Sequence, residues 1–386
     1  MRQRKVVNII TMVSISGVLC GTMAMVIVLS VFNGFDNIIH GLYQKVDADF
    51  KVELKTGTLF NVDNDFISGI NNIDGVIFCS EILEQKLLAQ YLDYQYVVEA
   101  KGVDENYIQV SNLHQNIVLG NYLDGTNNFV IVGNKVFNRL GLRVLDFENS
   151  LKLSFFKEEK MMDINSSMHT QSFYATGVFR TDVEIDETHL VLSVHDLRNF
   201  LKISRQCSSI EIKTDKNVNP SAIHASLMSF LGPDYIIKNR LEQRPFVHKM
   251  VRTEKIAVYM IFSFILIISM LSLIASLIVL LMEKQKDIDL LHSLGLTRQK
   301  IKYIFLLIGC SITVIGGVLG SFLGVFICFL QAQFKLIHLN TQIGIISAYP
   351  IKVNVVDILI IQIIVLCLGI ITSFLVSKNN NFYLGY

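Results

Sequence analysis

The chain has 386 residues, of which 51% are hydrophobic and 17% carry charged side chains. Soluble domains average about 25% charged residues, and the mean hydropathy here is +0.46, so the composition indicates a membrane protein. The formal net charge of +1 excludes a strongly basic surface that would attract nucleic acid. Six cysteines in this length exclude a disulfide scaffold. We expect Cys79 and Cys207, in the polar middle of the chain, to be buried free thiols, with a disulfide as the alternative.

Four apolar runs are each long enough to cross a hydrocarbon core of about 30 Å, which needs about 20 helical residues. They are Ile9–Phe32, Ile256–Met282, Ile304–Leu330 and Ile358–Ser377. None of them contains a charged residue, which disfavours an ion pump or a proton relay. The first run is longer than the apolar region of a signal peptide, about 7–15 residues, so it predicts an uncleaved anchor.

The basic residues that flank these runs predict their orientation. Three basic residues precede the first run and five occupy the loop 283–302, whereas only Lys335 and Lys352 lie between the third and fourth runs. Cytoplasmic flanks carry an excess of Lys and Arg, so we expect both termini and the loop 283–302 to be cytoplasmic. The predicted layout is the N-terminus with transmembrane helix 1 over 1–32, an outer α/β domain with a stalk over 33–255, helix 2 over 256–282, a cytoplasmic loop over 283–303, helix 3 over 304–330, a short outer loop over 331–357, helix 4 over 358–377 and a cytoplasmic tail over 378–386.

The outer segment predicts a mixed α/β domain. Alternating or β-rich patterns predict strands over 49–55, 96–100, 151–155, 173–179 and 209–213. Three helix signals lie between them. They are a capping box at Ser193–Asp196, a cap and first-turn pair at Asn219 and Pro220, and a short helix bracketed by glycines over 133–141.

Two further features of the outer segment bear on function. Residues 156–172 are a long connection between two strands, and long loops are often functional. Its flexible Met161, Met162 and Met168 suit adaptable apolar contacts with a partner, and a solvated surface loop is the equally open alternative. Pro245 fits the first position of a helix. One continuous helix over Pro245–Met282 would be about 57 Å long, so its outer turns would form a stalk beyond the membrane.

The sequence lacks the common catalytic motifs. It contains no GxxxxGK[ST], HExxH, CxxC or GxSxG pattern, and its nine histidines do not cluster at metal-ligand spacing. We therefore expect a non-catalytic membrane subunit without a metal or cofactor.

Two segments carry a resemblance to a known family. Residues 28–35 read VLSVFNGF, and residues 282–301 read MEKQKDIDLLHSLGLTRQKI. Together with the four spans and the large insert after the first, they resemble the LolC/LolE lipoprotein-releasing permeases of the FtsX-like ABC transporter superfamily. The first motif is specific to that branch, and the second is shared with MacB-type permeases. A LolC-like and a LolE-like role both remain open.

The resemblance implies a coupling helix on the cytoplasmic side that docks on an ATPase subunit. The residues themselves predict a short amphipathic helix, with Gly295 at its C-terminal cap and Thr297 at the N-cap of the next helix. The implied coupling residues are Glu283, Lys284, Lys286, Asp287, Ile288, Leu291, Leu294, Gly295 and Arg298. The pattern alone also fits a basic turn held by lipid headgroups.

The resemblance also implies that spans one and two line a pocket for the acyl chains of a lipoprotein. The candidates are Met25, Leu29, Phe32, Tyr259, Met260 and Phe262, each of which could instead face lipid. Span three carries Gly316, Gly320 and Gly324, two consecutive GxxxG steps that permit close helix contact. Packing within the chain and contact with another subunit are equally open.

The expected function is that of a permease subunit that extracts lipoproteins from the bacterial inner membrane for delivery to the outer membrane. A separate ABC ATPase would drive it, and the other expected partners are a second permease subunit, the same chain or a relative, a periplasmic carrier and membrane lipid. One alternative is an FtsX-like transmitter that activates a periplasmic cell-wall hydrolase. Another is a MacB-like efflux permease, whose usual fused ATPase would bring the P-loop that this sequence lacks.

Overall fold

The computed structural model describes residues 2–43, 46–123, 125, 128–156, 168–215, 217–294, 296–338 and 348–378. The chain divides into two compact units. One unit comprises Met1–Ile39 with Lys249–Tyr386, and the other comprises His40–His248. Among the described residues the first unit is built from long helices, and the second is a mixed α/β fold.

The helices of the described residues are α1 (Arg2–Tyr43), α2 (Asn64–Asn71), α3 (Tyr107–Val110), α4 (Asn134–Leu140), α5 (Ile185–Thr188), α6 (Val194–Leu201), α7 (Pro220–Leu231), α8 (Pro245–Glu283), α9 (Gln285–Ser293), α10 (Arg298–Phe334) and α11 (Val355–Lys378). The strands are β1 (Phe50–Leu54), β2 (Phe60–Asn61), β3 (Val76–Tyr91), β4 (Tyr94–Val103), β5 (Ile117–Gly120), β6 (Phe129–Gly133), β7 (Leu151–Phe156), β8 (Met168–Phe179), β9 (His189–Ser193), β10 (Gln206–Cys207), β11 (Ser209–Thr214) and β12 (Tyr235–Asn239).

In the part of the chain that the structure describes, four helices are long and apolar enough to cross a membrane: α1, α8, α10 and α11. Each includes one predicted apolar run and extends beyond it. The helix α8 begins at Pro245 and continues unbroken to Glu283, which confirms the expected long helix. The outer domain was expected to span 33–255, whereas the compact α/β unit spans His40–His248 and α1 continues to Tyr43. Asn33 and Gly34 resemble an exit from the helix in sequence, but tertiary contacts described below hold them within it.

Glycines in α10 allow close contact between α10 and α1. Gly316, Gly320 and Gly324 all approach α1, and a Cβ added at Gly320 would lie 2.6 Å from the carbonyl oxygen of Leu19. No real Cβ is tolerated at that distance from a backbone atom, so the two helices pack more closely than larger residues would allow. The GxxxG steps of α10 therefore serve packing within the chain.

Polar side chains tie the other long helices together. Ser14 Oγ in α1 donates to the carbonyl of Ser272 in α8 over 3.1 Å. Gln362 Nε2 in α11 donates to the carbonyl of Gly317 over 2.9 Å and to Ser321 Oγ over 2.6 Å, both in α10. The polar amide of the fourth run is therefore a helix-packing residue.

The α/β unit is built on a ten-stranded sheet in the order β12-β1-β11-β3-β4-β9-β6-β8-β5, with β7 pairing to both β3 and β8. Of the described pairs, β4 with β9 and β6 with β8 are parallel, and the others are antiparallel. The strands β2 and β10 form a separate pair. The five predicted strand segments lie in β1, β4, β7, β8 and β11, so those predictions are confirmed.

Helices cover two apolar cores of this unit. α4 and α6 contribute residues such as Leu140 and Leu197 to one core. α2 and α7 contribute residues such as Ile70 and Leu227 to the other. Cys79 and Cys207 belong to this second core, and both are buried free thiols as expected. Burial raises the pKa of each thiol to about 12, so neither is a reactive thiolate at neutral pH.

The predicted helix caps are present, with one difference. Asn219 Oδ1 accepts from the backbone N–H of Ser221 over 3.0 Å, and Pro220 occupies the first helical position. Ser193 Oγ accepts from the N–H of His195 over 3.2 Å. The expected reciprocal capping box does not form, because the Asp196 carboxylate accepts instead from the N–H of Asn128 over 2.9 Å.

Candidate functional site

The loop between α8 and α10 forms the short helix α9, and part of its apolar face is open. The exposed fraction is 62% for Leu290, 37% for Leu291 and 74% for Leu294. The N–H of Leu294 donates to the carbonyl of Leu290 over 3.1 Å, so the helical turn continues to that residue. Positions four apart lie on the same helix face, and Leu290 and Leu294 therefore form an exposed apolar surface.

Ile288 has a different role from the one the sequence predicted. It packs against a small cluster formed by Leu281 of α8 and by Ile301 and Phe305 of α10. Ile288 therefore anchors α9 to its own chain instead of presenting a surface to a partner. Leu290 is the exposed residue that the predicted coupling set omits, although its spacing of four from Leu294 was visible in the sequence.

The predicted charged residues around α9 are in contact with solvent. Lys284, Lys286 and Asp287 are exposed, and Glu283 is half-buried. Lys284 Nζ lies 2.8 Å from Asp287 Oδ2 in an exposed pair. Such pairs contribute little to stability, so these charges form a solvated rim around the leucine surface.

The end of α9 has the hydrogen bond expected of a glycine cap. The N–H of Leu296 donates to the carbonyl of Leu291 over 3.1 Å, the six-residue span of a Schellman ending. Gly295, the residue expected at the left-handed position, lies outside the described residues, as does the side chain of Arg298. Thr297 is the N-cap residue of α10 in extended conformation, but its side chain makes no capping hydrogen bond, contrary to expectation.

Two of the predicted acyl-pocket residues lie inside the helical unit. Met25 and Leu29 of α1 are fully buried, in a cluster that includes Leu266 and Met270 of α8. They pack one span against another within the chain and are not open to a ligand in this conformation.

The other predicted pocket residues differ in exposure. Phe32, Tyr259 and Phe262 are half-buried. The exposed fraction of Met260 is 63%, which makes it the most open of the predicted set. The structure thus brings Met25, Leu29, Tyr259 and Phe262 to one cluster and leaves Met260 outside it.

The predicted partner loop falls mostly outside the described residues. Met161 and Met162 belong to that part, and Met168 is the first residue of β8, with its side chain also outside. The flanking strands are described, and β7 pairs with β8 in antiparallel register up to Phe156 opposite Met168. Residues 157–167 therefore connect the two strands of a hairpin.

A polar cluster that the sequence did not predict joins three long helices. The Asp357 carboxylate at the start of α11 accepts from Asn33 Nδ2 over 2.6 Å, from Tyr259 OH over 2.8 Å and from Lys255 Nζ over 3.0 Å. Lys255 also donates to Asn33 Oδ1 over 3.1 Å. This Asp357 cluster, consisting of Asn33, Lys255, Tyr259 and Asp357, connects α1, α8 and α11.

The VLSVFNGF motif ends in this cluster, which gives the motif a structural reason. Gly34 lies directly against the backbone of Pro350, so a Cβ at this position would overlap the Pro350 carbonyl. The N–H of Lys352 donates to the carbonyl of Ser30 over 2.9 Å. The motif is therefore the seat for residues 349–352, the segment that leads into α11.

The α/β unit contains a cavity of about 170 Å³ with charged walls. Five neighbouring strands supply these charges: Lys51 from β1, Glu211 from β11, Glu84 from β3, Glu99 and Lys101 from β4, and His189 from β9. Alternation along β4 places Val98 and Ala100 in the apolar core and turns Glu99 and Lys101 to the opposite face.

The central pair of this cavity is Lys101 with Glu211, whose Nζ and Oε1 atoms lie 2.6 Å apart. Burial alone would lower the pKa of Lys101, but the Glu211 carboxylate outweighs it and holds that pKa well above its ordinary value. For Glu84, burial is likewise outweighed, here by Lys51, and the pKa falls to about 2. Burial and the nearby Lys101 charge lower the pKa of His189 to about 4.

Ion pairs also cross-link the two segments by which the chain enters and leaves the α/β unit. Arg244 Nη2 lies 3.2 Å from Asp47 Oδ1, and its guanidinium stacks 5.2 Å from the centroid of the Tyr43 ring. Arg240 Nη2 lies 2.6 Å from Asp49 Oδ1. These contacts fix the segment after α1 to the segment before α8, and the two ion pairs are named the entry–exit ion pairs.

Comparison with known proteins relates part of the chain to a known family. Residues 259–379, which span most of α8 and all of α9, α10 and α11, match the family model of the FtsX-like permease C-terminal region. The matched residues include the second sequence motif, at 282–301, so the resemblance to FtsX-like permeases is confirmed.

Curated relatives extend the similarity beyond the FtsX-like region to most of the chain. The lipoprotein-releasing system transmembrane protein LolC of Buchnera aphidicola subsp. Schizaphis graminum is 23% identical, over 95% of this chain and 90% of the relative. LolC of Neisseria meningitidis serogroup B is 24% identical, over 96% of this chain and 91% of the relative. Among solved structures, the periplasmic region of MacB from Actinobacillus actinomycetemcomitans has a TM-score of 0.38 at 14% identity, covering 53% of this chain and 94% of that one.

Proposed function

We propose that this chain is the membrane permease subunit of an ABC transporter that releases lipoproteins from the bacterial inner membrane. The observation that carries the proposal is similarity over about the whole length of the chain to relatives named for lipoprotein release. A protein named LolE, from Haemophilus influenzae, is also similar, at 19% identity over 96% of this chain. ATP hydrolysis is assigned to a separate subunit, and a second permease subunit completes the membrane part.

The proposed topology places the α/β unit on the outer side, inserted in the sequence between α1 and α8. The basic residues in the loop between α8 and α10 support a cytoplasmic position for α9. Both termini then lie in the cytoplasm, and the four long helices span the inner membrane.

In this proposal the leucine surface of α9 docks on the ATPase. When a partner covers exposed leucines on a cytoplasmic helix, the free energy of the complex falls. The solvated charges around these leucines suit the polar rim of an interface. Ile288 would transmit movement of α9 to α8 and α10, since it packs on residues from both helices.

On the outer side, movement is proposed to be transmitted through the entry–exit ion pairs of the α/β unit. Arg244 precedes α8 directly, and its pairing with Asp47 joins that segment to the one that follows α1. Movement of either helix end would then be passed to both segments together. The segment 156–172, with Met161, Met162 and Met168, is proposed to meet a periplasmic carrier.

The acyl chains of the lipoprotein are proposed to bind on the open side of α8. Met260 is exposed, and so is Phe264 one turn further along the helix. Flexible Met and flat Phe side chains suit a hydrocarbon ligand of variable shape. Phe32 and Phe262 would make additional contacts with the acyl chains. The buried Met25 and Leu29 would support the packing of the residues that line this surface.

The test is ATP-dependent release in a purified system. The complex, isolated from native membranes with its bound partners, is placed in liposomes that contain a fluorescent triacylated lipoprotein. We expect ATP, but not a non-hydrolysable analogue, to transfer the lipoprotein to the soluble fraction when a carrier is added. ATP hydrolysis with no release of any lipoprotein would contradict the proposal and favour the transmitter alternative.

A further inference from the structure

The Asp357 cluster is the most buried charged group among the described residues of the helical unit. The exposed fractions of Asp357 and Asn33 are 5% and 9%. The carboxylate has three donors from two other helices, at 2.6–3.0 Å. A buried carboxylate that is paired and fully hydrogen-bonded is stable in place, but it becomes costly when a donor is removed.

Contacts next to the cluster also join α1 to the segment before α11. The Lys352 side chain donates to Asn37 Oδ1 over 2.7 Å, and the rings of Phe35 and Tyr349 meet edge to face with centroids 6.1 Å apart. With the Gly34 contact to Pro350, these interactions hold residues 349–357 along one side of α1. Charged, aromatic and backbone contacts thus all join α1 to the segment that leads into α11.

Elsewhere the helices are joined by contacts of a different kind. Gly17 and Gly21 of α1 face Ser269 and Leu266 of α8 through small or apolar groups, and the hydrogen bonds between these helices there are uncharged ones from serine hydroxyls to backbone carbonyls. Apolar surfaces are non-directional and can slide by small steps, whereas a buried ion pair has one satisfactory geometry. Relative movement of α1 and α8 is therefore least costly away from the Asp357 cluster.

We propose that the Asp357 cluster is a fixed joint, at which α1, α8 and the start of α11 stay together while the other parts of these helices move. Asp357 and Lys255 are positioning residues in this joint, and the VLSVFNGF motif is its seat. The inference rests on the proposed function, since it assigns the point about which the permease moves. Breaking the joint should therefore uncouple ATP hydrolysis from lipoprotein release, whereas locking the joint should leave this coupling unchanged.

The first test measures distance during the ATP cycle. Spin labels at Phe35→Cys and Tyr349→Cys, in the complete complex in nanodiscs, report the separation across the joint without nucleotide, with ATP analogue and with ADP. We expect one unchanged distance distribution in all three states. A longer distance in any nucleotide state would overturn the proposal, because the cluster would then be a latch that opens.

The second test measures coupling as lipoprotein released per ATP hydrolysed. Asp357→Asn and Lys255→Met should each lower this ratio at least about tenfold, since the loss of one partner of a buried pair exceeds the free energy of a tenfold change. Lys255→Arg keeps the charge and should retain the ratio, and the exposed neighbour variant Glu254→Gln is the matched control. An unchanged ratio in Asp357→Asn would overturn the joint.

These results separate failure of the joint from failure of the proposed function. If the unmodified complex hydrolyses ATP but releases no lipoprotein, the proposed function fails while the spin-label distance still tests the joint. If no ATPase accompanies the chain, a double-variant cycle of Asp357→Asn and Lys255→Met on thermal unfolding in detergent decides. Additive effects of the two substitutions would overturn the joint, because coupled partners are non-additive.

Discussion

Replacing Glu211 with glutamine should destabilise the α/β unit by about 3–5 kcal/mol, because it removes the carboxylate that pairs directly with the buried Lys101 ammonium. The exposed fractions of the two side chains are 11% for Lys101 and 4% for Glu211, and their charged atoms lie 2.6 Å apart. At an effective dielectric constant of 20, such a pair attracts by about 6 kcal/mol. The dehydration of each ion costs several kcal/mol, so the intact pair contributes little net stability.

The same balance predicts a different result when both charges are removed. Lys101→Met with Glu211→Leu should give a unit about as stable as the original, since neither buried charge then lacks a partner. Amide hydrogen exchange in β4 and β11 of the complete chain measures this. Glu211→Gln should lose protection by about 10²–10⁴-fold, and the double variant should not.

The control is Glu187→Gln, which breaks an exposed pair with Lys135 in the same unit. Exposed pairs contribute little, so this variant should leave exchange in β4 and β11 unchanged. If Glu211→Gln were as mild as Glu187→Gln, the description of Lys101 as a buried, paired charge would be refuted.

Three further outcomes follow from individual residues. The folded pKa of His189, about 4, lies below its unfolded value of about 6.5, so the unfolded chain binds more protons and stability falls as the pH drops from about 6.5 to 4. His189→Gln should remove up to about 3 kcal/mol of this loss of unfolding free energy between pH 6.5 and 4. The loss is measured by urea unfolding at each pH, monitored by amide hydrogen exchange, and an unchanged loss would contradict the burial of His189. Gly320→Val should push α10 away from Leu19 and lower the free energy of unfolding by about 1–3 kcal/mol, measured by thermal unfolding. In the control Gly41→Val, no atom lies within 4 Å of the added Cβ, so no such clash should occur. Equal effects of the two variants would contradict the contact between α10 and α1. Ser293→Cys should react with a membrane-impermeant thiol reagent only after the membrane is opened, and labelling of intact cells from outside would reverse the proposed topology.

Local patterns carried much of the fold. The apolar runs predicted four helices because a span needs only a long uncharged segment, which is a property of neighbouring residues. The alternation over 49–55 predicted β1, since side chains of a strand point to opposite sides in turn. The alternation did not show that the polar side of β1 lines a cavity, where Lys51 lies with Glu84.

Pairings between distant residues could not be predicted in the same way. Asn33 and Asp357 are separated by 324 positions, and Lys101 and Glu211 by 110. Each pair depends on which helices or strands become neighbours, and no local periodicity contains that information. For α9 the predicted helix is correct, but its inward side depends on the cluster around Ile301, so the sequence alone did not show that Ile288 packs within the chain or that Leu290 is exposed.

The central claim is that α9 couples this chain to a separate ATPase through its exposed leucines. The measurement is the amount of ATPase that co-purifies with the tagged chain after Leu290→Asp and Leu294→Asp, compared with Gln285→Asp and Gln299→Asp, which add the same charge at exposed polar positions. Burial of two leucines is worth roughly 3–6 kcal/mol before the cost of ordering, so the account predicts that the leucine variant loses the ATPase while the glutamine variant retains it. Stoichiometric ATPase on a correctly inserted leucine variant would contradict the account.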